Sequence, residues 1–211
     1  MATTPLCEIM GRHGSDKGQV DLTTSWHTYT PYYHTLFERL RDRPIRVFEL
    51  GLGTNYTDVP SNMGPNGKPG ASLYGWREYF PLATIHGADI DRRILFEADR
   101  IRTVYCDQTN PAAIQEMWAT LDPALQGYDI IIEDGLHTFE ANVCFFENSA
   151  SRLRVGGYYV IEDAYGKAAG QYLEKIAAWR SVYPNYQFEW VPLLSARNPH
   201  DNNLVVIRRM A

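Results

Sequence analysis

Five apolar runs, each closing on or beside an acidic residue, constrain this chain more than any other feature. They are IRVFEL (45–50), ATIHGADI (83–90), IRTVYCD (101–107), YDIIIED (128–134) and GGYYVIED (156–163). Continuous apolar character over six to eight residues, rather than strict alternation, marks strands covered on both faces. Helical patterns separate most of them: GASLYGWREYF, with Ser72 near its start; PAAIQEMWATL, with Pro111 in its first turn; HTFEANVCFFENSASRL; and AAGQYLEKIAAWRSVY. Proline at the first helical position costs no hydrogen bond, because that N–H has no partner inside the helix. Two closing strands, YQFEWVPL and NNLVVIRR, have no helix between them and predict an antiparallel hairpin at one edge. The pattern predicts an α/β chain with a seven-stranded, mainly parallel sheet, a C-terminal antiparallel hairpin and helices on both faces.

With 211 residues, the chain reads as one domain: a helical N-terminal segment (1–43) that caps a core (44–211). In the cap, Tyr33, Leu36, Phe37 and Leu40 fall at helical spacing and are expected to face the core, with Pro44 ending the helix. His27, Tyr29, Tyr32 and Tyr33 read as core aromatics, or else as a helix that closes over a ligand. A net charge of −5 gives no support to a nucleic-acid or anionic-membrane partner. Cys7, Cys106 and Cys144 lie far apart with no C-x-x-C pair; Cys106 and Cys144 sit inside apolar segments, which favours buried free thiols over disulfide or metal roles. The first ten residues lack a basic stretch followed by an apolar core, and no apolar run reaches the roughly 18 residues of a membrane span. A cytoplasmic chain is therefore expected.

In open α/β sheets, ligands sit beyond the carboxyl ends of the strands. There the chain places Glu49-Leu50-Gly51-Leu52-Gly53, Asp89, Asp107-Gln108, Glu133-Asp134-Gly135-Leu136-His137 and Glu162-Asp163. Any one of these acids could be a helix cap, and Gly51/Gly53 a tight turn; five at one rim ask for hydroxyls and cations as partners. Asp89 is placed to accept the hydroxyl protons of a ribose, and Glu49 suits an amino group. A dinucleotide turn would run straight into a helix, whereas sixteen residues, Thr54 to Pro69, intervene here. S-adenosylmethionine fits these requirements better than NAD.

The segments ELGLGTN, GADID, YCDQTNP, IIEDGLH and GGYYVIEDAY, in that order, resemble the class I S-adenosylmethionine-dependent methyltransferases. The nearer resemblance is to the metal-dependent sugar O-methyltransferases of the macrocin and mycinamicin type. It extends to GSDKG and the PGASLYGWREYFP helix, and covers roughly residues 11 to 165. It implies a Rossmann-like fold in which Glu49, Gly51 and Gly53 hold the methionine moiety and Ser72 reaches its carboxylate. Asp89 would bind the ribose, and Asp107 and Gln108 would sit beside the adenine; simple helix capping is the other reading of Ser72 and Gln108. The family's usual large N-terminal extension is expected to be absent here.

Asp134, Glu162 and Asp163 end neighbouring strands. Three carboxylates converging with no Lys or Arg beside them would repel, so a bound cation is one resolution. Helix capping by Glu162 or Asp163, with Asp134 ordering the Gly135 turn, is the other. Oxygen ligands suggest Mg²⁺, with Mn²⁺ possible, and the resemblance implies the same ligands. A sugar hydroxyl is a poor nucleophile at neutral pH, and His137, three residues past Asp134, could take its proton as a general base; a structural histidine is the alternative. The expected activity is metal-dependent O-methylation of a sugar or small polyhydroxyl compound. An NAD-dependent oxidoreductase and a non-catalytic S-adenosylmethionine-binding subunit are the rivals. The aromatic-rich surface would also support a homo-oligomer.

Overall fold

The computed structural model describes residues 3–18 and 25–211. Its sheet is built from β1 (Arg46–Leu50), β2 (Thr84–Asp89), β3 (Glu97–Ala98), β4 (Ile101–Tyr105), β5 (Tyr128–Glu133), β6 (Leu153–Ile161), β7 (Tyr186–Pro192) and β8 (Asn203–Arg209). Their spatial order is β3-β4-β2-β1-β5-β6-β8-β7. The five strands from β4 to β6 run parallel. The hairpin β7–β8 joins through β8, antiparallel to β6. The sheet therefore has eight strands rather than seven. The addition is the two-residue β3, antiparallel to β4, a piece too short to show any sequence period.

Successive residues of the buried strands serve opposite faces. Val47, Ile130 and Ile132 pack with α1 (Pro5–His13), α2 (Tyr29–Phe37) and α3 (Ala71–Tyr79). Phe48 and Ile131 pack with α4 (Pro111–Leu121), α5 (Phe139–Ser149) and α6 (Ala169–Val182). Two-sided burial explains why these strands read as unbroken apolar runs.

Helix α1 was not expected. Thr4 accepts from the Cys7 N–H, Pro5 opens the helix, and Gly14 closes it in the left-handed conformation, so every boundary signal is a standard one. In the second cap helix, Tyr33, Phe37 and Leu40 are buried as expected and Leu36 is half-buried. Helix α2 ends at Phe37 and tightens into a 3₁₀ turn over Glu38–Leu40, well before Pro44. The three cysteines are free, with Cys7 and Cys106 buried but Cys144 only half-buried. Among the described residues no helix is long and apolar enough to cross a membrane.

The order of strands reverses between β1 and β5: from β1 the chain proceeds outward through β2 on one side and returns to β5 on the other. That switch leaves a crevice at the strands' carboxyl ends.

One buried histidine couples the sheet to pH. His86 on β2 is 9% exposed and shares a 2.6 Å hydrogen bond with Tyr128, over whose ring the Arg46 guanidinium lies. Burial, with the charges of Arg46 and Arg102, lowers its pKa to about 4. Folded His86 thus stays neutral while the unfolded chain takes up a proton below about pH 6.5, so stability falls as pH drops through that window. Between pH 7 and pH 5, wild type should lose about 2 kcal/mol more than His86→Gln in urea unfolding. Equal losses would contradict the assignment.

Candidate active site

At the reversal point β1 delivers Glu49 and the turn Gly51-Leu52-Gly53. Gly51 has φ +88°, and a Cβ there would lie 1.8 Å from the Asp134 carbonyl oxygen. Glycine is thus needed twice over, for the left-handed backbone and for the close approach of β1 to the end of β5. The Gly51 N–H donates to Ala88 O at 2.8 Å, and Asp134 N–H donates to Leu50 O at 2.9 Å, which ties three strand ends together.

The first cavity at this rim has a volume of about 950 Å³. Eight of the predicted residues line it: Gly51, Gly53, Asp89, Asp107, Gln108, Asp134, His137 and Asp163. Glu49 and Ser72 line a smaller hollow beside it, about 20 Å³, which shares Gly51, Gly53 and Asp134 with the first. Glu162 lines neither and lies beneath, 1% exposed.

Each predicted residue has definite partners. Glu49 is 1% exposed and accepts hydrogen bonds from the Ser72 hydroxyl and the Trp76 indole. Burial raises its pKa, against the opposing charge of Lys17. Ser72 lies inside the first turn of α3, whose N-cap is Gly70. Asp89 accepts the Leu52 N–H at 2.7 Å and the Asp91 N–H at 2.8 Å, so it shapes the glycine turn as well as facing the cavity. Asp107 caps its own turn by accepting from Thr109 N–H and hydroxyl. Gln108 spends its amide inside the protein: its NH₂ donates to Glu133 at 2.9 Å and its oxygen accepts the Leu136 N–H at 2.6 Å.

The acidic end of the cavity holds a cation that sequence reasoning missed. The Lys17 ammonium donates to Asp134 Oδ2 and Glu162 Oε2 and lies 3.9 Å from Glu49 Oε1. The premise that Asp134, Glu162 and Asp163 lack a nearby Lys or Arg is thereby corrected. Lys17 lies 117 and 145 positions away from its two partners in sequence, so only the folded chain brings them together. Burial lowers the lysine's pKa, but Asp134, Glu162, Glu49 and Asp16 outweigh it and raise the pKa well above the ordinary value. The one sequence signal was its place in GSDKG, within the resembling segments.

The cap aromatics are core and site at once. Tyr33 donates to Glu162 Oε1 at 2.7 Å, and Tyr29 donates to Asp163. Both rings are fully buried, and burial followed by the nearby carboxylates raises both phenol pKa values. The His27 Nδ1 lies 3.2 Å from Asp163 Oδ1 and its Nε2 lies 3.6 Å from Asp16.

His137 stands in the loop two residues ahead of α5, which begins at Phe139 with Thr138 as its cap, so it does not open the helix as expected. Its backbone is left-handed, φ +60°, as is that of Asp163, φ +52°. Such non-glycine outliers cost of order 1–3 kcal/mol and cluster at functional sites. Nε2 of His137 is 3.6 Å from Asp163 Oδ2 and 3.9 Å from Asp134 Oδ1; Nδ1 is buried and, among the described residues, without a hydrogen-bond partner. Burial lowers the imidazole pKa, and Asp163, Asp134 and Glu133 more than reverse that, leaving it raised. Glu133, behind it, is pushed up to about 7 by burial.

Asp134, His137 and Asp163 each present a ligand atom within 4.8 Å of the others. The Asp134 and Asp163 carboxylates, with Glu162 adjoining, offer oxygen donors that fit a divalent cation, and the imidazole stands beside them.

No family model matches the chain. It is 36% identical over 152 residues to an 8-demethyl-8-α-L-rhamnosyl tetracenomycin-C 2′-O-methyltransferase of Streptomyces olivaceus, covering 72% of this chain and 35% of that protein. It is 32% identical over 191 residues to a demethylmacrocin O-methyltransferase of Streptomyces fradiae, covering 84% of this chain and 45% of the relative. The chain thus spans less than half the length of these curated relatives. Among solved structures, MycE, a methyltransferase from the mycinamycin biosynthetic pathway in complex with Mg and SAH, superimposes with a TM-score of 0.72 at 23% identity. That match covers 99% of this chain and 55% of MycE. The chain has the class I methyltransferase fold and resembles, over about three-quarters of its length, the sugar O-methyltransferases of the macrocin and mycinamicin type.

Proposed function

We propose that this chain is an S-adenosylmethionine-dependent, divalent-metal-dependent O-methyltransferase of the cytoplasm, acting on a hydroxyl of a sugar or other small polyhydroxyl natural product. The observation that carries the reading is the placement of His137 Nε2 beside Asp134 and Asp163, on the wall of the cavity that the Gly51–Gly53 turn also lines. The names of the two curated relatives support the reading, since both are O-methyltransferases and one names a rhamnosyl-bearing compound.

Residue roles follow from position. Glu49, buried at the small hollow, would accept from the ammonium of the methionine moiety, with the Gly51 and Gly53 backbone alongside. Ser72, already bonded to Glu49, would orient that carboxylate and offer the first turn of α3 to the methionine carboxylate. Asp89 would accept from the ribose, since each of its oxygens retains a lone pair beyond the backbone N–H it now takes. Asp107, half-buried on the cavity wall, would accept from the adenine amine. Gln108, with its amide committed, would shape that wall.

Asp134, Glu162 and Asp163 would hold Mg²⁺ or Mn²⁺, which when bound lowers the pKa of an acceptor hydroxyl. His137 Nε2 would take the hydroxyl proton as the oxygen attacks the sulfonium methyl. Tyr29 and Tyr33, from the cap, bond the Asp163 and Glu162 carboxylates, so residues 1–43 would act as a cap over the core 44–211 and keep the site dry. A nicotinamide enzyme of this architecture would need the helix to begin at the glycine turn, and here α3 begins at Ala71.

Thermal unfolding with S-adenosylmethionine, S-adenosylhomocysteine or NADH, each with Mg²⁺ or EDTA, tests the cofactor. At a hundred times its Kd, a true ligand adds about 2.7 kcal/mol. Stabilisation by the two adenosyl-sulfur compounds is expected, and stabilisation by NADH alone would reverse the reading. Methyl transfer to a panel of glycosides tests the chemistry: His137→Ala should turn over about 10²- to 10⁴-fold more slowly with its fold intact, and an unchanged rate would remove the base. Asp134→Asn should bind S-adenosylhomocysteine as wild type does yet lose metal-dependent turnover. Full activity in that variant would exclude the metal assignment.

A further inference from the structure

Lys17 is not accounted for by the roles above. Lys17 is 3% exposed, and its ammonium lies inside the carboxylate group, on the Asp134 and Glu162 oxygens that a divalent ion would also need. The alternative acceptors are few. Glu162 Oε1 takes the Tyr33 hydroxyl, and Asp163 takes Tyr29 and faces His27 and His137. A cation entering between Asp134, Glu162 and Asp163 therefore meets an ammonium already bonded to two of the three. The lysine also lines the small hollow next to Glu49, Ser72 and Gly53. It is carried on the 3₁₀ turn Asp16–Gly18, a short element outside the sheet.

We propose that Lys17 is an internal placeholder cation: its ammonium holds Asp134 and Glu162 together while the metal is absent and competes with the divalent ion for the same oxygens. This rests on the metal-dependent reading given above. Placeholder and metal then exchange, and the lysine sets how weakly the metal binds. It acts as a positioning residue for the site. A purely structural lysine would do the opposite, since its loss would loosen the carboxylates and weaken metal binding.

The test is Mn²⁺ binding by wild type and Lys17→Met, followed by loss of the free-ion signal in electron paramagnetic resonance. One unit of positive charge removed from a water-poor site strengthens cation binding, and the variant should bind Mn²⁺ roughly tenfold or more tightly than wild type. Without metal it should also unfold at a lower temperature, with the deficit recovered on adding Mn²⁺. Equal or weaker binding by the variant overturns the placeholder role, whereas absence of Mn²⁺ binding in both proteins overturns the metal reading itself. Should Lys17→Met not fold, the wild-type chain labelled with ¹⁵N-lysine serves. Its buried ammonium should give a slowly exchanging signal that moves or vanishes when Mg²⁺ saturates the site, with saturation followed by calorimetry. An unchanged signal at saturation overturns the proposal.

Discussion

Glu49, Asp134, Glu162 and Asp163 bring four acidic side chains into one water-poor corner, and the rest of the site is arranged around keeping them there. Carboxylates in such a place repel each other and lose their hydration, so each must be met by a cation or a donor. Ser72 and Trp76 meet Glu49, Tyr33 meets Glu162, Tyr29 meets Asp163, and Lys17 reaches across to three of the four. Most of these partners come from the N-terminal segment and α3, while the acids come from strand ends. The packing of α1 and α2 against the sheet is therefore part of the site's chemistry. Their buried faces and the polar tips of their aromatic rings serve the same few residues.

The backbone carries its own share of the arrangement. Gly51 lets β1 approach the Asp134 carbonyl far more closely than any side chain permits, and that approach brings the glycine turn and the proposed metal carboxylate to one wall. His137 and Asp163 accept left-handed backbones next to it. The His137 Nε2 lies 3.6 Å from Asp163 Oδ2 there. Asp89 and Gln108 do comparable work with side chains, fixing the turns that follow β1 and β5. The Asp89 carboxylate shapes a turn and also faces the cavity.

What was legible in the sequence, and what was not, divides along sequence distance. Strands covered on both faces must be apolar throughout, so β1, β2, β4, β5 and β6 were visible, and acids at their ends pointed to the rim where Asp89, Asp107, Asp134 and Asp163 line the cavity. PAAIQEMWATL became α4 to the residue because a proline and an asparagine cap mark its start. The strand β3 was hidden because two residues show no period. Helix α1 was overlooked although Thr4, Pro5 and Gly14 all announced it. Lys17 was out of reach in a different way: nothing near GSDKG indicates that the chain returns 117 residues later with an aspartate for it. Tyr29 and Tyr33 were read as core or site, alternatives that a buried ring with a polar tip does not obey.

On the proposed reading, one crevice would hold an adenosyl-sulfur cofactor and a divalent ion side by side, with His137 between them and the acceptor. A crystal structure grown with S-adenosylhomocysteine and Mn²⁺, with anomalous data collected for manganese, addresses it most directly. The account predicts the ribose at Asp89, the methionine moiety at Glu49, and one anomalous peak among Asp134, Glu162 and Asp163. Manganese bound elsewhere, or an adenosine held away from the Gly51–Gly53 turn, would contradict it.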